Sequence, residues 1–452
     1  MTLDTLGRGQ ATRRTLVRRH AIGALGAAGG AALAACGALG EPPAAKSTGP
    51  VTISFMHNDD NKPERPEGFT RVALLEEFTK TNTQKITVDV TEAQARVSND
   101  KLKSMAAGGT PPALYYAAYY YPAEFYLAGM IIDVDTELKG DREWAKQRAD
   151  IFPAFLDSSS WVGKLISIPG YTNNQAMIYN TGLLQQAGVA PPKPGWTWDD
   201  FQTTAQKFIR PGIIPLSMSW GTYLHWLGTA GSRVISRDVK TITFDTPEML
   251  QVMELMQDML KRGIFQKTAD GKGPLFETYR QAKNDTVFEV QGPYRIPVLR
   301  LNNAPDFLTI HIPVHPAKKQ VFASNGGHNL IIFKDLPVEQ RQAAAQVAKW
   351  MNAPHAQAQM CIKAASIPVS KGAAESKELQ EYLRTDAAFK GFVDLAGKGW
   401  RWPTLPSFAK ISGALGKTVT SIMLEQTSAK SGLVTGQQEA QQLLDEDVKL
   451  MQ

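Results

Sequence analysis

An α/β fold in two domains is what the sequence predicts, on three observations. From Val51 onward, short alternating apolar runs interleave with amphipathic stretches of helical period, the pattern that builds strand–helix–strand units and largely parallel sheets. The chain has 452 residues, and the 417 that follow a leader ending at Ala35 exceed what one apolar core comfortably organises. Hydrophobic residues make up 43% of the chain, enough to fill two cores.

The leader comes first in order. Arg13-Arg14-Thr15-Leu16-Val17-Arg18-Arg19 precedes a mildly apolar run, Ala21 to Ala35, that closes on Leu33-Ala34-Ala35-Cys36. Basic start, apolar stretch and small residues before one cysteine form a bacterial lipoprotein signal over residues 1–35, with Cys36 as the lipidated residue. Fifteen residues are too few to span a bilayer, which needs about 20. Thr12-Arg13-Arg14-Thr15-Leu16-Val17 also fits a twin-arginine signal, although the usual Phe is missing, so the export route stays open between the two systems. Residues 36–50, rich in Gly, Ala, Pro and Ser, are expected to be a flexible tether.

Val51-Thr52-Ile53-Ser54-Phe55 alternates as a strand and runs into the polar loop His57-Asn58-Asp59-Asp60. A helix carrying Val72, Leu74, Leu75 and Phe78 leads to a strand with Ile86, Val88 and Val90. A helix from Asn99 to Ala107 leads to a third strand, Ala113 to Ala118, and to the Tyr119 loop. Trp161 to Pro169 reads as a turn feeding a strand, and Ala176 to Asn180 as another, followed by the helix Thr181 to Ala187 with Gly188 as its stop. Thr197 is placed to cap the next helix, and Thr246-Pro247 to start one that ends at Gly263. Val252, Met253, Met256, Met259 and Leu260 share a face of that helix, a stripe suited to core packing. Later helices carry Ala343, Val347, Trp350 and Met351, and finally Ala440, Leu443, Leu444, Val448 and Met451.

Charge and cysteines exclude several classes. Of the net charge of +6, residues 1–35 supply +4, so no nucleic-acid footprint remains on the rest. With Cys36 taken by lipid, Cys361 has no disulfide partner, and its apolar helical surroundings suit burial. No phosphate-cradling loop, H-E-x-x-H or G-x-S-x-G motif occurs, so no enzyme and no cofactor are expected. His311 and His315 flank Pro313 in an extended stretch without a third ligand, so no metal site is expected either.

Four segments carry a resemblance: Gly163-Lys164-Leu165-Ile166-Ser167-Ile168-Pro169, Met177-Ile178-Tyr179-Asn180-Thr181-Gly182-Leu183-Leu184, Ala187-Gly188-Val189 and Trp196-Thr197-Trp198-Asp199-Asp200-Phe201. In this order they resemble the bacterial extracellular solute-binding proteins of family 1, the capture subunits of ABC importers. Phe244-Asp245-Thr246-Pro247-Glu248 and Gly326-Gly327-His328-Asn329-Leu330 extend the likeness. Val290-Gln291-Gly292-Pro293-Tyr294 departs from it, since the family more often shows a small residue and Trp there. The resemblance implies a type II periplasmic-binding-protein-like fold of two lobes, each a mostly parallel sheet flanked by helices, hinged by crossing strands around a cleft. It divides the chain into 51–174 plus 325–371 and 175–324 plus 372–452. It further implies a monomer outside the cytoplasmic membrane that hands a ligand to permease subunits.

A sugar presents apolar C–H faces and a rim of hydroxyls, so its site needs aromatic planes beside hydrogen-bonding groups. Tyr119, Tyr120, Tyr171, Trp220, Tyr223, Tyr294 and Trp400 are the candidate walls, each with core packing as the alternative. Candidate polar contacts are Asn58 and Asp59 after the first strand, Gly326 and Gly327 as points of close backbone approach, and His328 beside them. Arg401, between Trp400 and Trp402, could grip a phosphate or carboxylate, with a surface salt bridge as its alternative. A sugar or polyol is therefore the expected ligand, with glycerol phosphate as the second choice. A surface carbohydrate hydrolase is the competing class.

Overall fold

The computed structural model describes residues 49–57, 66–92, 98–268, 271–274, 284–304 and 306–452. Cys36, Asn58 and Asp59 lie outside them, and so do the expected leader and nearly all of the tether.

Eleven strands are present among the described residues: β1 Val51–His57, β2 Ile86–Glu92, β3 Leu114–Ala118, β4 Ser160–Trp161, β5 Lys164–Leu165, β6 Ile168–Asn174, β7 Ala176–Asn180, β8 Ile214–Ser217, β9 Thr286–Gln291, β10 Phe307–Ile310 and β11 Asn325–Ile332. They form a five-stranded sheet in the order β2-β1-β3-β11-β6, a four-stranded sheet in the order β10-β7-β9-β8 and the small hairpin β4-β5. Each large sheet is the centre of one lobe.

The predicted strand–helix alternation is realised from Val51 to Ala118, where β2, β1 and β3 pair in parallel. Parallel pairing stops there. β11 runs antiparallel to both β3 and β6, and in the second sheet only β8 and β9 are parallel. The expectation of mostly parallel sheets is thus corrected to mixed ones. The physical reason lies in the connections: β6 leaves the first sheet, turns at Gln175 and enters the second as β7, and β11 returns into the first sheet. Strands that shuttle between lobes need no helical crossover, so nothing holds them parallel.

Local chemistry explains the element boundaries. Thr197 accepts from the Asp200 N–H while the Asp200 carboxylate accepts from the Thr197 N–H, a reciprocal cap on the helix Trp198–Gln206. Thr246 caps the helix Pro247–Lys261, with Pro247 in the first turn and Gly263 at φ 76° beyond the end. On that helix Val252, Met253, Met256 and Met259 are fully buried, so the methionine stripe is core.

Apolar packing then joins the sheets. One cluster gathers Ile53, Phe55, Leu75 and Trp144 around the first sheet. A second packs Ile178, Leu299, Cys361, Leu379 and Phe392 on one side of the other sheet. The largest runs from Tyr115 and Tyr119 in the first lobe to Trp226, Met256 and Phe288 in the second. Tyr115 and Tyr116, adjacent in β3, fall into different clusters, as strand alternation requires. Cys361 is buried, its thiol pushed up by desolvation, which leaves it inert packing.

Candidate functional site

Three chain segments meet where the lobes touch: the turn after β3, the start of β11, and the stretch Gly399–Phe408. Tyr119 donates its N–H to the Gly327 carbonyl at 3.3 Å, and Asn325 donates its N–H to the Trp400 carbonyl at 3.3 Å. Thr404 accepts from the Ala123 N–H at 3.0 Å and donates to the Tyr120 carbonyl at 3.4 Å. The Tyr120 ring stacks on Phe408, 4.1 Å between centroids at 21°.

Arg401 is the centre of this junction. It is 7% exposed, its guanidinium lies 4.0 Å from the Tyr119 ring centroid, and it donates to Ser158 Oγ at 3.0 Å and to the Gly326 carbonyl at 3.3 Å. A desolvated cation over a tyrosine face is stabilised by about 2 kcal/mol. No carboxylate among the described residues pairs with it, which overturns the surface salt bridge weighed for this residue. Burial lowers its pKa to about 10, which still leaves it charged at neutral pH. Beside it opens a cavity of about 470 Å³ lined by Trp400, Arg401, Ser158, Arg233 and Arg237 among others. That size suits a small organic ligand.

Buried hydrogen-bonding groups collect at the same place. Arg401 Nε, Trp400 Nε1 and both amide atoms of Asn325 have no hydrogen-bond partner among the described residues. Such groups are rare in folded proteins, and each costs about 1–3 kcal/mol until something polar meets it.

A second cluster brings a tyrosine of each lobe near the Glu67 carboxylate. Tyr171, on β6, donates its hydroxyl to Glu67 at 2.9 Å, and Tyr294, after β9, donates to Gln291 at 2.7 Å. Burial and the nearby Glu67 carboxylate raise both phenols, Tyr294 to about 12. His328 stacks on Tyr116 at 5.3 Å and leans on Tyr171 at 6.5 Å. Below Tyr294, Glu289 and Arg295 form a buried ion pair at 3.2 Å.

Not every predicted residue gathers here. Trp220 and Tyr223 are buried in the largest apolar cluster, Tyr223 edge-on to Phe244 at 5.9 Å, and neither lines the cavity. Gly326 and Gly327 serve strand packing: a Cβ on Gly327 would stand 2.1 Å from the Tyr171 carbonyl oxygen and one on Gly326 2.8 Å from Asn173 Oδ1. His311 accepts from the Gly195 N–H, and no group of three metal-binding side chains occurs among the described residues. Reading the sequence missed Glu67, Ser158, Arg233 and Arg237. A signal existed for the last two, an arginine pair four residues apart in Ser232-Arg233-Val234-Ile235-Ser236-Arg237, but no motif marks a loop that only folding brings against Trp400.

Two sheet-centred lobes, linked by shuttling strands and meeting at a seam of aromatic and buried polar groups, define a two-lobe ligand-binding protein. The sequence pattern of "Bacterial extracellular solute-binding protein" matches residues 73–388. The chain belongs to that family. A probable ABC transporter-binding protein of Deinococcus radiodurans is 28% identical over 123 residues, 24% of this chain and 29% of that one. The sn-glycerol-3-phosphate-binding periplasmic protein of Brucella abortus is 22% identical over 311 residues, 64% of this chain and 66% of that one. The chain therefore spans less than two thirds of either relative. The crystal structure of the cyclic alpha-maltosyl-1,6-maltose binding protein from Arthrobacter globiformis superposes with TM-score 0.76 at 18% identity, covering 88% of this chain and all of the other.

Proposed function

We propose that this chain is the capture subunit of an ABC importer, taking up a carbohydrate between its lobes and passing it unchanged to the permease. The observation that carries this reading is the coincidence of Tyr119, Trp400 and Tyr120 with buried, unpartnered donors and acceptors at the lobe junction. Aromatic faces cover sugar C–H surfaces, and the buried N–H and C=O groups meet hydroxyls. A ligand touching both lobes favours the closed arrangement, the form a permease recognises. The boundaries 51–174 plus 325–371 and 175–324 plus 372–452 are the lobes in this reading, which also makes the protein a monomer. Residues 1–35 direct export and Cys36 bears the lipid that holds the protein outside the cytoplasmic membrane, with the twin-arginine route open.

The Brucella relative's name keeps glycerol phosphate in view, but a three-carbon ligand has no ring face for these walls to cover. Hydrolysis is the other alternative. Calorimetry of the purified protein with maltose, maltotriose, mannobiose and cyclic tetrasaccharides, with the mixtures then chromatographed, tests all three. Capture gives saturable binding and intact sugar; new products would establish an enzyme, and binding of glycerol 3-phosphate alone would replace the sugar. Trp400→Ala is expected to weaken the bound sugar by about 1–2 kcal/mol, and unchanged affinity would remove Trp400 from the site.

A further inference from the structure

The cavity beside Trp400 holds more positive charge than a neutral sugar can use. Arg233, Arg237 and Arg401 all line it, against Asp157 as its one acidic wall residue, and none of the three arginines forms an ion pair among the described residues. Arg233 packs over the Trp400 ring at 5.3 Å, and its guanidinium is pulled below its usual pKa by burial and by the charge of Arg237. Arg401, more than nine-tenths buried, spends two of its five N–H donors on Ser158 and Gly326 and leaves Nε without a partner among the described residues. Gathering three like charges around one hollow, one of them desolvated, is unfavourable until an anion enters. The guanidinium fork matches a carboxylate or phosphate oxygen pair, which hydroxyls do not.

Resting on the reading of carbohydrate capture, we propose that the captured saccharide carries an acidic group, seated in this cavity between Arg233, Arg237 and Arg401. Carboxylate and phosphate share the required chemistry. The ring that bears the charge lies beside Trp400, which lines the same cavity.

The test uses matched pairs on the mature protein: trigalacturonate against its carboxyl-reduced counterpart α-1,4-galactotriose, and maltose 6′-phosphate against maltose. Calorimetry at low salt is expected to show the acidic member of a pair binding at least tenfold tighter, with the advantage shrinking as sodium chloride rises. Whichever pair responds identifies the group as carboxylate or phosphate. In the double variant Arg233→Gln/Arg237→Gln the acidic ligand loses at least tenfold more affinity than the neutral one, so the preference collapses. Neutral members binding as well as acidic ones, or both weakening equally in the double variant, overturn the acidic subsite while leaving sugar capture intact. Binding by no saccharide of either kind overturns capture and the subsite together.

Discussion

His225 shows how a single side chain is set by what surrounds it. It is fully buried between Gln175, whose Oε1 lies 2.7 Å from its Nε2, and Ser324, whose N–H reaches its Nδ1 at 3.4 Å. These neighbours mark the two points where chain passes between the sheets. Ser324 donates to Nδ1, so Nε2 carries the proton toward Gln175. Desolvation pulls the ring from its ordinary 6.5 to about 3, and the folded state therefore takes up this proton only in strong acid. Between those values the unfolded chain binds the proton and the folded chain does not, so stability is lost as pH falls below about 6.5. The slope from this group approaches about 1.4 kcal/mol per pH unit. His225→Gln should remove that slope from urea midpoints measured between pH 4 and 6.5; an unchanged slope would contradict the burial argument. Glu289 runs the other way, burial holding it up at about 7 against the pull of Arg295, so its contribution declines as pH rises from about 4.5 toward 7. Neither shift was legible in the sequence, because burial is a property of the fold.

At the scale of elements, the caps were legible and the pairing was not. Thr197, Thr246 with Pro247, and Gly188 each announced a helix end because capping is decided within four residues of chain. The direction of β11 depends on β3 and β6, each more than 150 residues away, and no local pattern records it. Gly327 makes this concrete. Sequence suggested room for a ligand; the structure shows φ +123° and the Tyr171 backbone filling the place of a side chain. Gly327→Ala is expected to cost about 2–4 kcal/mol in chemical unfolding, from backbone strain plus steric overlap at β6. A cost below about 1 kcal/mol would show that β11 and β6 can part freely there.

For the whole molecule, the proposed capture requires the lobes to part. The Tyr120–Phe408 stack bridges the first lobe and the helix Phe408–Met423, and no covalent bond reinforces it. Phe408→Ala should raise the radius of gyration of the ligand-free protein in small-angle scattering and lower sugar affinity severalfold. An unchanged radius would mean that the seam is held elsewhere. Cys36→Ser is expected to move the protein from the membrane fraction to the soluble fraction with ligand affinity intact, and retention on membranes would remove the lipid anchor.

From the sequence alone came the α/β class, the helix ends, the family resemblance and several of the aromatic residues, because periodicity, capping and short motifs are local physics. Tertiary structure decided which strands run antiparallel, which tyrosines face the seam and which pack the core, and that Arg233 and Arg237 stand beside Arg401. Those facts depend on segments more than 100 residues apart coming together, where burial removes water and changes what an ordinary side chain can do.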